Sequence, residues 1–592
     1  MSSEDANQPD RHELLRRLIR LYRRELPMTV ITLLITVLGA VAELLPHNFV
    51  RMAINYMQEW VGVGPLNLWP FAVIIVLTYL IHNLLRFAMS ISRMDLSTRI
   101  SNSLRSGIFS ACQRHSLTFH KQTTSGDLIS RATADVQRMA QFLYMGVFGL
   151  LDIAVFVLGA VVMLVWINWQ LALVVLVPFP IAVFLTMRLG MKVRKIWRDS
   201  REAYGDVTTT IQENIAGARV VRAFAQEQTE EDKFKGRSER FLGKVIQAIE
   251  YWVIRMVGPD FVFGLVMPVA VLYGGMLALA GRVDVGDIFF CFSIMQPIQR
   301  RLREVMQLVD VYQRAAAASE RVFEVLDEEP SIRSNPGAKT MPPSPENVGA
   351  SVVFEDVSFG YEPYKPVLRD ICFEAKPGTT TAIVGHTGSG KSTLISLIPR
   401  FHDPVAGRVL LNGADVRDIR LEEVRREVGI IFQETFLFSA SVRENIAYGR
   451  PEASMDAIRK AAKAARAHDF ILGLEDGYDT VIGERGETLS GGQAQRIAIA
   501  RAILLDPCVL IMDDATAAVD SETERLIRET MKRVSEGRTN FIIAHRISSV
   551  AHADQILVLE DGRIAESGTH AELYAMDGIY RRICDQQFGV LT

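Results

Sequence analysis

The chain has 592 residues, a formal net charge of −3 and 49% hydrophobic residues. A near-neutral chain without a basic block in its carboxyl-terminal half has no electrostatic footprint for nucleic acid, so we expect no nucleic-acid partner. Five scattered cysteines, at positions 112, 291, 372, 508 and 584, have neither CxxC nor zinc-ligand spacing, which argues against a disulfide framework or a structural zinc site.

The amino-terminal region is predicted to be an interfacial helix. Residues 11–24 combine several arginines with leucines on helical spacing, which is typical of an amphipathic helix on a cytoplasmic membrane surface. This element forms an elbow over residues 1–27. No short apolar core with a small-residue cleavage site follows it, so we predict no signal peptide.

Six apolar segments are long enough to cross a bilayer and predict a transmembrane domain over residues 28–328. They are residues 29–50, 66–87, 145–167, 169–187, 257–280 and 288–309. Residues 58–65 and the turn near Asn168 contain no Lys or Arg, whereas residues 93–138 and 188–244 contain many. The positive-inside rule then predicts a multi-pass protein of the cell membrane, inner or plasma, with both termini in the cytoplasm.

The stretches between spans two and three and between spans four and five are rich in helix formers, which predicts helical extensions into the cytoplasm. Each contains a candidate turn, near Gly126 and near Gly217. Five prolines in residues 329–349 indicate a linker, assigned to residues 329–350. A second domain follows over residues 351–592.

A phosphate-binding loop is the first motif of this second domain. Residues 379–384 are β-rich, and GHTGSGKST follows them before a helical stretch, which is the strand–loop–helix context of a P-loop. Lys391 is predicted to reach the β- and γ-phosphates of ATP, and Ser392 to ligate Mg²⁺. The predicted nucleotide contacts are Gly385, His386, Thr387, Gly388, Ser389, Gly390, Lys391, Ser392 and Thr393.

Two aspartates end the apolar run of residues 509–512. An apolar strand that ends in a carboxylate holds Mg²⁺ beside the nucleotide in P-loop ATPases. Asp513 is therefore a predicted metal ligand, and Asp514 follows it as a candidate catalytic residue.

Residues 489–493, upstream of the paired aspartates, read LSGGQ. With the P-loop, this motif resembles the signature of the ATP-binding cassette (ABC) family. The resemblance implies that two ATPase domains enclose two ATP molecules, each between one chain's P-loop and the other chain's signature. Ser490, Gly491, Gly492 and Gln493 are accordingly predicted nucleotide contacts, since backbone amides at a helix start suit a γ-phosphate.

The resemblance assigns further roles. Tyr361 looks like the aromatic residue that stacks on adenine, although Tyr364 is a rival and a strand tyrosine is the plain alternative. Gln433 resembles the glutamine that contacts Mg²⁺ and relays to the membrane domain, and His545 resembles the histidine that contacts the γ-phosphate. The turns near Gly126 and Gly217 would be coupling helices, or else ordinary helix–loop–helix connections.

The fold that this resemblance implies is a membrane α-helical domain of six transmembrane helices with long cytoplasmic extensions. An α/β P-loop ABC ATPase domain with an antiparallel β subdomain follows it. The chain thus resembles a half-transporter of the ABC exporter type, which uses ATP and Mg²⁺ and pairs with a second ABC half-transporter.

Asp514 departs from the family pattern, in which Glu activates the hydrolytic water. Shortening Glu to Asp withdraws the carboxylate by roughly 1.5 Å, and a misplacement of about 1 Å costs on the order of 100-fold in rate. The site built on this P-loop is expected to bind ATP and hydrolyse it slowly. With the intact LSGGQ and a variant D-loop at residues 517–520, this favours the impaired-site subunit of a heterodimeric multidrug exporter. A tolerated substitution in a homodimer is the alternative, supported by the retained Gln433 and His545.

Three acidic residues lie in or near apolar spans: Glu43, Asp152 and Asp260. Ionised groups are costly there and tend to face cavities, which favours a cavity for amphipathic or cationic substrates. The alternative is that these residues lie near the ends of spans, or pair with Arg51 or Arg255 as structural ions.

The leading hypothesis is an ATP-driven exporter subunit that moves hydrophobic or amphipathic small molecules, drug- or lipid-like, out of the cytoplasm or inner leaflet. The alternatives are a homodimeric lipid or drug flippase, and a regulatory ABC subunit that binds ATP without transporting.

Overall fold

The computed structural model describes residues 11–60, 66–343, 348–362, 364–483, 489–513, 529–543 and 547–588. The chain divides into two compact units. Unit 1 comprises Met1–Cys112 and Gly126–Glu328, and unit 2 comprises Gln113–Ser125 and Glu329–Thr592. Unit 2 therefore includes a short segment from between the second and third predicted spans.

Long helices form most of the chain up to Asp327. Their bounds are α1 (Arg11–Leu21), α2 (Leu26–Ala42), α3 (Leu44–Glu59), α4 (Trp69–Arg114), α5 (Leu117–Gln122), α6 (Ser125–Ser130), α7 (Val136–Ile167), α8 (Trp169–Leu176), α9 (Pro178–Ala216), α10 (Ala218–Ala223), α11 (Glu227–Leu279) and α12 (Val285–Asp327). A 3-10 turn, Tyr22–Glu25, joins α1 to α2, and a π-helical turn, Arg131–Asp135, joins α6 to α7.

Among the residues that the structure describes, three stretches are long and apolar enough to cross a membrane: Glu13–Glu59, Trp69–Arg114 and Ser125–Ile167. A shorter apolar helix, Gly264–Leu279, lies within α11. The predicted count of six spans stays a prediction.

The helical extensions are confirmed. Helix α4 has 46 residues, roughly 69 Å at 1.5 Å per residue, whereas the hydrocarbon core of a bilayer is about 30 Å thick. The helical structure is interrupted at Thr123 and Thr124, just before Gly126. Gly217 separates α9 from α10.

Two of the predicted spans are interrupted. The first span breaks at Glu43, where α2 ends and α3 begins, with Pro46 in the first turn of α3. The fourth span breaks at Val177, ahead of Pro178. Proline lacks the N–H that an α-helix needs and clashes with the preceding turn, so its presence explains why helices end or bend at these points.

Apolar side chains of α2, α3, α7, α8, α11 and α12 form the main core of unit 1. Phe156 and Ala160 of α7 and Phe290 and Ile294 of α12 are fully buried there. This core holds the middle of α12 against α7, and the charged residues discussed below lie beside it.

Unit 2 is an α/β domain. Its strands are β1 (Val352–Phe359), β2 (Leu368–Ala375), β3 (Thr380–Gly385), β4 (Ala406–Leu411), β5 (Ala414–Asp415), β6 (Val428–Ile431), β7 (Val509–Asp513), β8 (Thr539–Ile543), β9 (Gln555–Glu560) and β10 (Arg563–Gly568). Its helices after α5 are α13 (Lys391–Leu397), α14 (Leu421–Glu427), α15 (Val442–Ile446), α16 (Met455–Ala464), α17 (His468–Leu472), α18 (Gly491–Leu505), α19 (Ile547–Val550), α20 (His570–Ala575) and α21 (Ile579–Phe588).

Two sheets organise the domain. One is antiparallel, in the order β2–β1–β4–β5, and the other is six-stranded, in the order β10–β9–β3–β8–β7–β6. Strands β9, β3, β8, β7 and β6 are parallel, and β10 pairs antiparallel with β9 at one edge. The predicted α/β domain with an antiparallel β subdomain is confirmed.

The two faces of the parallel sheet pack into different cores. One core unites the antiparallel sheet with α13 and the inward faces of β3 and β7. A second core lies under α15 to α18 and receives Leu510 and Met512 from the opposite face of β7. The P-loop helix α13 and the LSGGQ helix α18 thus belong to different cores of one domain.

The proline-rich segment after Glu329 is attached to the ATPase domain. The Lys339 amide donates to the Asp418 carbonyl at 2.8 Å, and the Met341 amide donates to the Glu423 carboxylate at 2.8 Å. Asn335 donates through its side chain to the Arg417 carbonyl at 2.9 Å. The described part of the predicted linker therefore packs as an irregular strap along unit 2.

Candidate nucleotide-binding site

Strand β3 delivers the P-loop at the carboxyl end of the parallel sheet. Gly385, Gly388 and Gly390 have φ values of +155°, +85° and +104°, a region that side chains rarely adopt. A Cβ on Gly385 would lie 2.3 Å from the Leu559 carbonyl oxygen, whereas one on Gly388 would meet nothing within 4 Å. The loop is therefore tight where it meets the sheet and open where it bends away from it.

Lys391 is buried and folded back over the loop. Its ammonium group donates to the carbonyl oxygens of Gly385 and His386, both at 2.9 Å. Ser392, one position on, is exposed in the first turn of α13, and Ser389 is buried with a hydroxyl that has no hydrogen-bond partner. A cationic loop with positive-φ glycines and an unsatisfied buried hydroxyl fits a triphosphate.

Parallel pairing brings the other motifs to the same edge of the sheet. Ile543 of β8 lies opposite both Ile383 of β3 and Asp513 of β7, so the P-loop, Asp513 and the residues after β8 share one edge. Gln433 follows β6 at this edge and is exposed. The predicted metal ligands Ser392, Gln433 and Asp513 offer only oxygen donors, which suits Mg²⁺.

Some predicted residues lie outside the described part of the chain. These are Asp514, the D-loop at residues 517–520, and His545. Their predicted roles stay predictions.

The structure separates the two candidate tyrosines. The Tyr361 hydroxyl shares a 3.2 Å hydrogen bond with the Thr393 hydroxyl at the end of the P-loop, and the ring is half-buried. Tyr364 is 95% exposed. Tyr361 is thus the tyrosine that lies beside the P-loop.

Two side chains of α5 contact residues beside the P-loop, and the sequence analysis did not predict these contacts. The Thr118 hydroxyl is 3.3 Å from His402 Nδ1, and the Lys121 ammonium lies 4.5 Å from the centre of the Tyr361 ring. Burial, and secondarily the Lys121 charge, lowers the pKa of His402. The imidazole is therefore neutral at pH 7. Residues 117–122 carry no sequence motif that marks these contacts, which depend on tertiary packing.

The LSGGQ motif begins α18 through a reciprocal capping box. Ser490 Oγ accepts from the Gln493 amide at 3.3 Å, and Gln493 Oε1 accepts from the Ser490 amide at 2.9 Å. Ser490, Gln493 and the intervening glycines thus lie together at an amino-terminal helix end that carries favourable dipole for an anion.

Hydrogen bonds also connect α18 to the segment after Gln433. The sequence analysis did not predict the residues that make them. Thr435 donates to the Gln495 side-chain carbonyl, and Arg501 donates to the Phe436 carbonyl at 3.1 Å. Arg501 also donates to Asn445 at 2.9 and 3.0 Å. These bonds connect the segment after Gln433 to the LSGGQ helix. The motif pattern carried no signal for these bonds, which depend on tertiary packing.

Two of the three acidic residues predicted in or near the spans, Glu43 and Asp152, lie beside arginines of α12. Arg301 binds both oxygens of Glu43, at 3.2 and 2.6 Å, and lies 3.5 Å from Asp152, while Arg300 binds Glu43 at 2.8 Å. The predicted partner Arg51 instead pairs with Asp287 at 3.0 Å. Glu43 is thus held as part of an internal ion cluster, and the side chain of Asp260 lies outside the described part.

Both halves of the chain match known families. Residues 28–301 match the ABC transporter transmembrane region, and residues 368–517 match the ABC transporter family. The ATP-dependent lipid A-core flippase of Syntrophus aciditrophicus (strain SB) is 33% identical over 98% of this chain and 95% of its own length. The putative multidrug export ATP-binding/permease protein YgaD of Bacillus subtilis (strain 168) is 36% identical over 82% of this chain and 83% of its own.

A solved structure agrees. A bacterial Atm1-family ABC exporter with ATP bound has a TM-score of 0.78 to this structure, at 28% identity, over 96% of this chain and 98% of that one. With the P-loop cradle and the motifs at one sheet edge, these matches show a multi-pass membrane protein that couples ATP hydrolysis to transport, with ATP and Mg²⁺ at its ATPase domain. The chain belongs to the ABC transporter family and is an ABC exporter.

Proposed function

We propose that the chain is one half of a heterodimeric exporter for hydrophobic or amphipathic molecules, and that the ATP site on its own P-loop is slow. The partner is a second ABC half-transporter whose ATP site is completed by the LSGGQ motif of this chain. The observation that supports a site shared by two chains is that the LSGGQ helix α18 and the P-loop helix α13 pack in separate hydrophobic cores.

The contacts of the motif support this arrangement. The hydroxyl and the amide of Ser490 bond to Gln493 within the capping box, and Ser490 and Gly491 are both exposed. Its exposed serine and glycine are therefore available to the nucleotide of another chain. Bound ATP supplies the phosphoanhydride bond whose hydrolysis resets the dimer.

Helix α10 offers a second surface for that other chain. None of its residues is buried, and the apolar side chains around it are strongly exposed: Ile215 by 74%, Val220 by 61% and Phe224 by 72%. Exposed apolar groups of this size beside a helix are typical of a docking surface. We assign them to the ATPase domain of the partner half.

The asymmetry of the dimer rests on Asp514. In the complex of both halves, Ser490→Arg removes the site completed by this chain, so ATP turnover should fall by at least about 100-fold, the loss typical of a misassembled active site. Asp514→Asn should leave most turnover intact, because catalysis takes place at the other site. Asp514→Glu should raise turnover, because it restores the reach of the general base.

Steady-state phosphate release from the purified complex measures all three variants. If Asp514→Asn abolishes turnover as completely as Ser490→Arg does, this chain's own site is catalytic and the homodimer is correct. If Asp514→Glu brings no gain, either alone or in the complex, the site is not impaired.

The cargo is proposed to include lipid-like amphiphiles. Three relatives at 33–35% identity are lipid A-core flippases, and YgaD is a putative multidrug exporter. Vesicles containing the complex discriminate the functions: ATP-dependent translocation of a fluorescent phospholipid supports a flippase, and ATP-dependent uptake of a cationic dye supports drug export. ATP turnover with neither transport supports a regulatory subunit.

The protein is proposed to lie in the inner or plasma membrane with six spans and both termini in the cytoplasm. Helix α1 carries basic residues, and Arg17 pairs with Asp327 and lies over the Phe323 ring near the end of α12. The amino-terminal elbow and the carboxyl-terminal end of α12 therefore share one side of the membrane. Asn168 caps α8 at a turn that contains no basic residue, as expected on the opposite side.

A further inference from the structure

Helix α5 lies between the second and third predicted spans in sequence but packs with the ATPase domain, in unit 2. Its Phe119 is buried, and Thr118 and Lys121 reach His402 and Tyr361. The Lys121 ammonium is 4.5 Å from the centre of the Tyr361 ring, well within the roughly 6 Å range of a cation–π interaction.

The Tyr361 ring is held from several directions. It makes T-shaped contacts with Phe359, at 5.1 Å between ring centres, and with His402, at 5.3 Å. Its hydroxyl is anchored to Thr393 at the end of the P-loop. Lys121 contacts this ring with a charged group. The neutral His402, which is hydrogen-bonded to Thr118, connects the same ring to α5 by a second route.

We propose that Lys121 is a positioning residue for the nucleotide base, acting through Tyr361. The ammonium group lies over one face of the ring and the base stacks on the other. A cation draws electron density toward its own side, and a ring depleted in this way stacks more favourably on an electron-rich purine. The inference rests on the proposed function of an ATP-driven exporter and on the predicted role of Tyr361 as the residue that stacks on adenine.

The arrangement makes nucleotide affinity depend on the seating of α5. If docked α5 strengthens the binding of ATP, bound ATP must by the same factor strengthen the docking of α5, because coupling free energies are reciprocal. Lys121 thereby connects the occupancy of the ATP site to a segment that follows α4 in the chain and is joined to α7 through α6.

The test compares two ligands on the full-length protein in lipid nanodiscs. ATP engages both base and phosphate contacts, whereas inorganic tripolyphosphate engages only the P-loop. Lys121→Met should weaken ATP binding by about 2- to 5-fold, the range of an exposed cation–π contact, and leave tripolyphosphate binding unchanged. Lys121→Arg keeps the cation and should retain the affinity of the original chain for ATP.

Arg114→Gln is the matched control, because it removes an exposed positive charge at the end of α4 and should change neither affinity. Tighter binding of ATP by Lys121→Met would overturn the inference, since Lys121 would then compete with the base for one face of the ring. Equal weakening for both ligands would also overturn it, as the role of Lys121 would be general electrostatics.

Tyr361→Ala separates this inference from the proposed platform. If Tyr361→Ala leaves the affinity for ATP unchanged, the platform fails and the role of Lys121 fails with it. If Tyr361→Ala weakens ATP binding and Lys121→Met does not, only the role of Lys121 is refuted. In the Tyr361→Ala background, Lys121→Met should bring no further loss.

Discussion

His402 is a buried imidazole whose surroundings disfavour its protonation. Burial lowers its pKa below the ordinary value of 6.5, the nearby Lys121 charge lowers it further, and Asp403 opposes the shift. Below pH 6.5, His402 therefore binds a proton more readily in the unfolded chain than in the folded chain. Stability should fall with decreasing pH in this window because of His402.

Thermal unfolding of the full-length protein between pH 5 and pH 7.5 measures this effect. The melting temperature of the original chain should fall as the pH decreases below about 6.5. The melting temperature of His402→Gln should fall less over the same interval. Parallel slopes for His402→Gln and the original chain would contradict the prediction.

Single residues were predictable where a motif fixes both identity and spacing. Lys391 lies folded over the P-loop, and Tyr361 rather than Tyr364 lies beside it. Lys121 and Thr118 were not predictable, because their partners are hundreds of positions away. The same applies to Glu43, whose arginine partners on α12 follow from helix packing and not from the local pattern.

At the scale of elements, the break between α2 and α3 coincides with the ion cluster of Glu43. Arg301 is 4% exposed, binds Glu43 through two bonds, approaches Asp152 and lies 3.5 Å from the centre of the Phe156 ring. Arg300 is 52% exposed and makes one bond to Glu43. Removing Arg301 leaves two acidic groups beside the apolar core without their principal cation.

Arg301→Met should therefore destabilise the protein by about 3–5 kcal/mol, the cost of breaking a buried ion pair from one side. Arg300→Met, the adjacent control, should cost about 1 kcal/mol or less, as for an exposed pair. Melting temperature and yield of monodisperse protein in detergent compare the two variants. Similar losses for both would show that the two arginines share the cluster equally.

Elements were predictable where their chemistry is local. The β-rich residues before the P-loop form β3, the apolar run before Asp513 forms β7, and the helical extensions exist. The break at Glu43 was not predicted, because the apolar run continues through it and hydropathy does not register a local interruption of the helix.

At the scale of the whole molecule, the exposed apolar surface of α10 predicts a dependence of transport on a neighbouring chain. Phe224→Asp should reduce ATP-dependent transport by at least about 5-fold, the loss expected when an aromatic anchor of an interface is removed. Basal ATP turnover should change much less, because no ATP-site residue lies on α10.

Transport and phosphate release measured on the same vesicles test this prediction. Phe234→Asp is the control, since Phe234 is an exposed phenylalanine on α11, outside α10. Equal transport by the two variants would refute a docking role for α10.

The order of a helical membrane domain followed by an α/β ATPase domain was predictable, because apolar segments mark the first and the P-loop, LSGGQ and paired aspartates mark the second. The division into two units was not. A boundary drawn along the chain cannot show that residues 113–125 pack with residues beyond 329.

That interleaving has a consequence for biosynthesis. Thr118 and His402 are 284 positions apart, so a ribosome working at about 5–20 residues per second needs roughly 14–57 seconds to produce the second after the first. During that interval Thr118 of α5 lacks its hydrogen-bond partner in the ATPase domain. Docking of α5 therefore cannot precede the synthesis of His402, and a chain that is truncated before this residue would leave α5 without that partner.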